Sequence, residues 1–197
     1  MIALAPVDSL YPLVRERISG ALDFIIRKAL VETAIEFCRE SQLVQDTLGP
    51  MSVGVGDNVP LVPVDQMYQG HRLIRVYGDS THDDRRQLVP GVDYEQSSSN
   101  TLKILRPYSE FNVIFVVEPR LISTQIPTVL IDDYPEAVAC GAVCRLSTMP
   151  SKPWSNPQMA QALHPQFVDG YRAAYRWRLE NTAVNSFQNP VQRQEFF

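Results

Sequence analysis

His82, Asp83 and Asp84 stand side by side in the polar run GDSTHDDRRQ (78–87). Imidazole and carboxylate are ligands for a transition metal, and with His71 they would make a small metal-dependent enzyme. Neighbouring residues on one loop seldom converge on a single ion, so the plainer reading is a solvated loop tip. Cys140 and Cys144 lie one helical turn apart on one face. A zinc site needs two further ligands, and His71 and His164 occupy unrelated contexts, so these thiols read as small core or interface residues. Gly54-Val55-Gly56-Asp57 lacks the third glycine and the following helix of a dinucleotide fingerprint, and reads as a turn or bulge. No Gly-rich loop ends in Lys-Ser or Lys-Thr, and no serine occupies a nucleophile elbow. Asp132-Asp133 pairs two carboxylates, which an N-cap explains. The sequence therefore offers no carrier for catalysis, and no catalytic residue, cofactor or metal is expected.

Chemistry of recognition is better represented. Arg172 and Arg176 stand at i and i+4 with Arg178 close by, a basic strip suited to an acidic partner or a DNA backbone, or simply a charged helix face. Trp154 and Trp177 read as core or interface anchors. Basic and aromatic residues do not interleave across the strands as they do in a nucleic-acid reader.

The 197 residues suffice for one core, and 45% apolar with 20% charged residues is the composition of a globular protein. A net charge of −4 excludes a globally basic DNA-binding surface. Three cysteines make no disulfide framework and fit a reducing compartment. The first residues carry no basic n-region, and no apolar run approaches membrane-spanning length, so neither a secretory signal nor a membrane span is expected.

The elements that must position these groups are set by periodicity. Ile26, Ala29, Leu30, Thr33, Phe37 and Cys38 draw an apolar stripe that predicts a helix over about 23–46, capped by Asp23 and stopped by Gly49-Pro50. Arg27, Lys28, Glu32, Glu36, Arg39 and Glu40 fill its other face, expected to be solvated and energetically minor. From 51 to 119 the period becomes that of strands, at 59–64, 72–77, 92–95, 101–105 and 112–118, separated by turn residues. Pro60 and Pro63 assign the first of these to an edge or a bulge, and Val113–Val117, apolar on both faces, to the sheet centre. Helices return at about 132–148, with Asp132 or Asp133 as cap and Pro135 in the first turn, and at 156–179, capped by Asn156. Pro165 is expected to kink or break this last helix.

Two stretches carry a resemblance. LVETAIEFCRESQLVQDTL (30–48) is similar to an opening "A-x-x-F-C" helix. PEAVACGAVCRLSTMPSKPWSNPQMA (135–160) is similar to a later signature: an alanine-rich Gly-Ala helix, Arg-Leu, Met-Pro, then Trp-x-Asn-Pro opening a final helix. Together with the strand-rich middle, over roughly residues 20–180, the chain resembles the head-to-tail adaptor (connector, head-completion) proteins of tailed bacteriophages. The resemblance implies an α+β fold, a helical bundle of N- and C-terminal helices with an antiparallel β-rich insertion between them. It implies a single domain over 1–180 and a C-terminal arm over 181–197. It implies a structural virion protein, assembled in the host cytoplasm as a homo-oligomeric ring, usually of twelve copies. Such a ring docks on the portal protein, extends the channel through which double-stranded DNA passes, and receives the next neck or tail protein. Ala139, Gly141 and Ala142 are candidates for close packing, within the subunit or between subunits, Trp154 is a further candidate for subunit packing, and Phe187, Phe196 and Phe197 are candidates for anchoring the arm in the portal. A tail terminator, completion factor or other neck protein shares this assembly logic and is the first alternative; a small metal-dependent enzyme using His82, Asp83, Asp84 and His71 is the second.

Overall fold

The computed structural model describes residues 2–79 and 86–181. Its centre is helix α2 (Asp23–Ser41), which packs against two later helices and the longest strand. The expected stripe is wholly buried, but so are Val31, Ala34, Ile35 and Ser41. A helix covered on several sides needs more than one apolar stripe. Leu22, not Asp23, occupies the N-cap position; Asp23 lies in the first turn and pairs with Arg15.

The helix ends earlier than its periodicity predicts. Gln42 adopts a left-handed conformation (φ 49°) and donates its N–H to the Cys38 carbonyl at 2.9 Å. Ser41 Oγ donates to the Phe37 carbonyl and accepts from the Leu43 N–H, which favours a turn over another helical residue. Residues expected to continue the helix instead begin strand β2 (Gln45–Val53), which runs through Gly49-Pro50.

The N-terminal lead-in, to which the sequence assigns no element, is part of the fold. Strand β1 (Leu4–Pro6) leads into a 3-10 turn (Val7–Leu10) and helix α1 (Tyr11–Arg15), burying Val7, Leu10 and Val14. β1 pairs antiparallel with a late strand, β9 (Gln125–Pro127), so the chain's start closes against its second half.

The larger sheet has the order β2-β8-β4-β5, all antiparallel, with β4 at Tyr68–Gly78, β5 at Arg86–Gln87 and β8 at Tyr108–Pro119. β8 is one of its two inner strands, as its two-faced apolar run predicts, and Val113, Phe115, Val116 and Val117 are buried. A smaller sheet has the order β3-β7-β6, with β3 at Asn58–Pro60, β6 at Tyr94–Ser98 and β7 at Thr101–Ile104. Pro60 is on its edge strand, where a missing N–H costs no ladder bond; Pro63 lies outside the strands. Asn100 pins one sheet to the other. Its side-chain oxygen accepts from Gly70 N–H at 2.8 Å and Val62 N–H at 3.2 Å, and its amide donates to the Val62 carbonyl at 2.7 Å.

Three further helices complete the chain: α3 (Thr128–Asp132), α4 (Pro135–Ser147) and α5 (Pro157–Asn181). Neither Asp132 nor Asp133 caps α4. Asp132 ends the unexpected α3, and Tyr134 takes the cap position without a side-chain bond, although Pro135 opens the helix as expected. Asn156 caps α5, its side-chain oxygen accepting from Met159 N–H at 3.1 Å. Pro165 does not break α5, which runs unbroken for 25 residues. Pro165 and Gln161 are both exposed, so the carbonyl that loses its partner opens to water, and the cost stays below that of a buried proline. The described chain is a mixed α+β fold with antiparallel sheets.

Candidate subunit and partner surfaces

The small-residue helix is spent inside the chain. Ala139, Gly141 and Ala142 are buried among α2, α4 and α5. A Cβ at Gly141 would stand 2.5 Å from Thr33 Cγ2 and 2.7 Å from Phe167 Cδ2, so glycine is what lets α2 and α5 both close on α4. Gly170 of α5 repeats the device against Ala137, a contact no local pattern announced. Among the described residues, this part of α4 packs within the chain, against α2 and α5. Trp154 is half-buried against the core, and its indole N–H is buried with no acceptor among the described residues.

The arginine strip is at the surface. Arg172 and Arg176 are exposed and share a shallow groove of about 550 Å³ with Glu40, Asp169, Tyr171 and Tyr175. Two carboxylates inside it make the surface mixed in charge, not a simple basic track. Arg178 lies over the Tyr175 ring at 4.9 Å, a cation–π contact that fixes its head.

The polar face of α2 does more than solvate the helix. Arg39 holds Glu118 of β8 through two bonds, 2.5 and 2.9 Å, although Glu118 is 1% exposed. Gln69 donates to the same carboxylate at 2.9 Å, and His71 Nδ1 stands 3.6 Å away. Burial pushes the Glu118 carboxyl up, but the bonds from Arg39 and Gln69 and the neighbouring charges outweigh it and hold it below the usual range. Arg145 of α4 bridges back to Glu32, at 3.6 Å, and to Glu36. Lys28 keeps a solvated position beside Glu32, whereas Arg39 meets a carboxylate that is out of water, where a charge pair has more consequence.

A second buried carboxylate, Asp93, accepts from the Val89 N–H at 2.9 Å and the Tyr108 hydroxyl at 2.8 Å, with Arg106 and Arg86 at 3.6 and 3.9 Å. The Val89 bond lowers its pKa most; burial opposes, and Tyr108 and the two arginines add to the lowering.

Nothing resembling a metal centre forms among the described residues. His82, Asp83 and Asp84 lie outside them. Cys140 Sγ is 3.2 Å from Gln166 Oε1 and Cys144 Sγ 3.3 Å from the Ala160 carbonyl, so each thiol has an oxygen acceptor. Burial raises both, Cys144 to about 11, and pushes Cys38 up further, so none is a thiolate near neutral pH.

Two exposed apolar pairs, one at a helix start and one in a turn, lie outside the apolar stripes that period reveals. Leu22 and Phe24, 60% and 65% exposed, mark the start of α2. Leu121 and Ile122, 68% and 82% exposed, project from the turn after β8. That turn is rigid. Arg120 donates its N–H to the Met67 carbonyl and its Nε to the Gln66 and Tyr68 carbonyls, and Ser123 closes it through its N–H to the Arg120 carbonyl. Leu121 borders a recess lined by Ile35, Glu36 and Arg39, beside the later half of α2, so the clusters sit about 15–20 Å apart along the helix at 1.5 Å per residue. No protein-family model and no curated protein matches this chain. No helix among the described residues is long and apolar enough to cross a membrane. Phe187, Phe196 and Phe197 lie outside the described residues.

Proposed function

We propose that this chain is a structural subunit of a closed ring at the head-to-tail junction of a tailed phage. It docks on the portal, continues the DNA channel and offers its outer face to the next neck component. The single observation that carries this reading is the pair of separate, dissimilar apolar clusters, Leu22/Phe24 and Leu121/Ile122, at different ends of α2. A ring contact is heterologous, so each subunit needs two different faces that fit one another, and a symmetric dimer would need only one. Exposed large apolar groups on a rigid turn are the usual mark of an interaction surface.

Supporting it are the resemblance of 30–48 and 135–160 to the adaptor pattern, the mutual contacts of α2, α4 and α5, and the position of β2 to β8 between α2 and α4 in the chain order. The net acidic balance suits a channel that passes DNA without holding it. The arm from residue 181 would reach the portal, with Phe187, Phe196 and Phe197 burying about 1.5–3 kcal/mol each. The Arg172/Arg176 groove, basic and acidic together, faces a partner of mixed charge.

The test is complementation. Ile122→Asp and Phe24→Asp should each leave the folding free energy within the range of an ordinary surface change, about ±0.5 kcal/mol. Each variant alone should sediment as a monomer, and a mixture should yield only dimers, because one intact face of each kind remains. Unaltered oligomers in both variants would overturn the assignment of these faces.

A further inference from the structure

The groove that holds Arg172 and Arg176 and the recess that Leu121 borders share a wall. Glu40 of α2 lines both, so the arginines and the apolar turn belong to one side of the molecule. The other apolar pair also has charged neighbours. Arg17, five residues before Leu22, pairs with Glu136 at 3.2 Å. Glu136 lines a recess of about 470 Å³ together with Asp132 and Asp133, at the joint of α3 and α4. Each apolar pair is thus bordered by a charged surface, one presenting arginines and the other carboxylates.

Neither set of charges is used up locally. Arg172 and Arg176 are exposed, and among the described residues neither makes a hydrogen bond or an ion pair, although Asp169 stands in the same groove with Glu40. The groove is neutral in sum, but the planar donor forks of these two guanidiniums, the shape that fits a carboxylate, are unclaimed. Asp132 and Asp133 are exposed too; they do not cap α4, and among the described residues their side chains make no hydrogen bond or ion pair. Like charges one helical turn apart repel, as do adjacent carboxylates, so an opposite charge relieves both surfaces. The groove opens on the α2 side of α5 and the recess on its α4 side, so one chain does not bring them together.

We propose that the occupant of the arginine groove is a second copy of this chain, with Arg172 and Arg176 of one subunit meeting Asp132 and Asp133 of the next. This contact, which rests on the ring reading above, is the polar half of the same interface. Exposed ion pairs add little affinity each, so they orient the subunits and speed their encounter, while the apolar pairs supply the buried area.

The experiment uses the dimer expected on mixing the Phe24→Asp and Ile122→Asp chains, in which a single contact forms. The Phe24→Asp chain contributes Leu121 and Ile122, and with them the arginine groove. The Ile122→Asp chain contributes Leu22 and Phe24, and with them the acidic recess. Arg172→Glu/Arg176→Glu on the Phe24→Asp chain should weaken the dimer about tenfold by sedimentation. The same change on the Ile122→Asp chain should leave it within about twofold. Asp132→Arg/Asp133→Arg should show the opposite preference, and the two reversals facing each other should restore the dimer to within about threefold. A loss that ignores which chain carries the reversal, or no loss at all, overturns the proposal and leaves the ring reading standing. Loss from the groove reversal with none from the recess reversal assigns the arginines to another acidic partner and overturns it equally. A starting mixture that never dimerises overturns both readings. Should a reversal lower the thermal midpoint of its own chain, Arg172→Gln/Arg176→Gln and Asp132→Asn/Asp133→Asn are read the same way, with a loss of about threefold expected.

Discussion

Glu118 and Asp93 are both carboxylates withdrawn from water, and they hold very different things. Glu118 is gripped by Arg39, 79 residues away in the chain, so it ties the central helix to the central strand. Asp93 is satisfied within its own neighbourhood, by Val89 and Tyr108, and closes the loop leading to β6 upon the start of β8. One is a joint between layers and the other a local clasp. The difference teaches that burial of a charge says nothing of its reach; the sequence distance of its partner does.

Breaking each should therefore look different. Arg39→Ala leaves Glu118 buried with only Gln69 and His71, and should cost about 2–3 kcal/mol of global stability. That is less than the 3–5 kcal/mol of a fully buried pair, because Arg39 is itself half exposed. Chemical denaturation gives the number, and amide exchange should quicken in both α2 and β8. Gly141→Ala asks a helix-only version of the question and should cost about 1–3 kcal/mol, since the new methyl meets Thr33 and Phe167. Tyr108→Phe removes one hydrogen bond from Asp93, should cost about 1 kcal/mol, and should speed exchange only around residues 88–105. An equal, global loss in Arg39→Ala and Tyr108→Phe would erase the distinction.

Acid sharpens it further. Both carboxyls are held below their ordinary values in the folded chain, so the stability they contribute is complete above the unfolded-state pKa, about 4, and drains away as pH falls through the folded values. Thermal midpoints should be level from pH 7 to 5 and fall below pH 4. Glu118→Gln, which cannot titrate, should flatten that acid limb for the whole molecule. A midpoint that rises on acidification would reverse the sign and refute the account.

Local pattern made the helical layer legible. The α2 stripe, Pro135 at a helix start, Asn156 as a cap and the apolar centre of β8 are all matters of period and turn chemistry. What it missed lies beyond its range. Gln42 turns the chain left-handed because Ser41 and a waiting β8 reward it, which helix periodicity cannot register. The lead-in folds because β9 receives it, more than a hundred residues later. Gly141 is legible as a site of close approach, but whether the approaching backbone is the chain's own or a neighbour's is a tertiary question. Leu121 and Ile122 were invisible for the same reason that they are informative: nothing local requires them to be apolar.

The proposed ring is best tested by electron microscopy of the full-length chain mixed with a tailed-phage portal protein. A closed ring should appear seated on the portal, coaxial with its channel, with Leu121 and Ile122 of each subunit against Leu22 and Phe24 of the next. Portal particles left bare, beside a chain that remains monomeric at saturating concentration, would refute the ring.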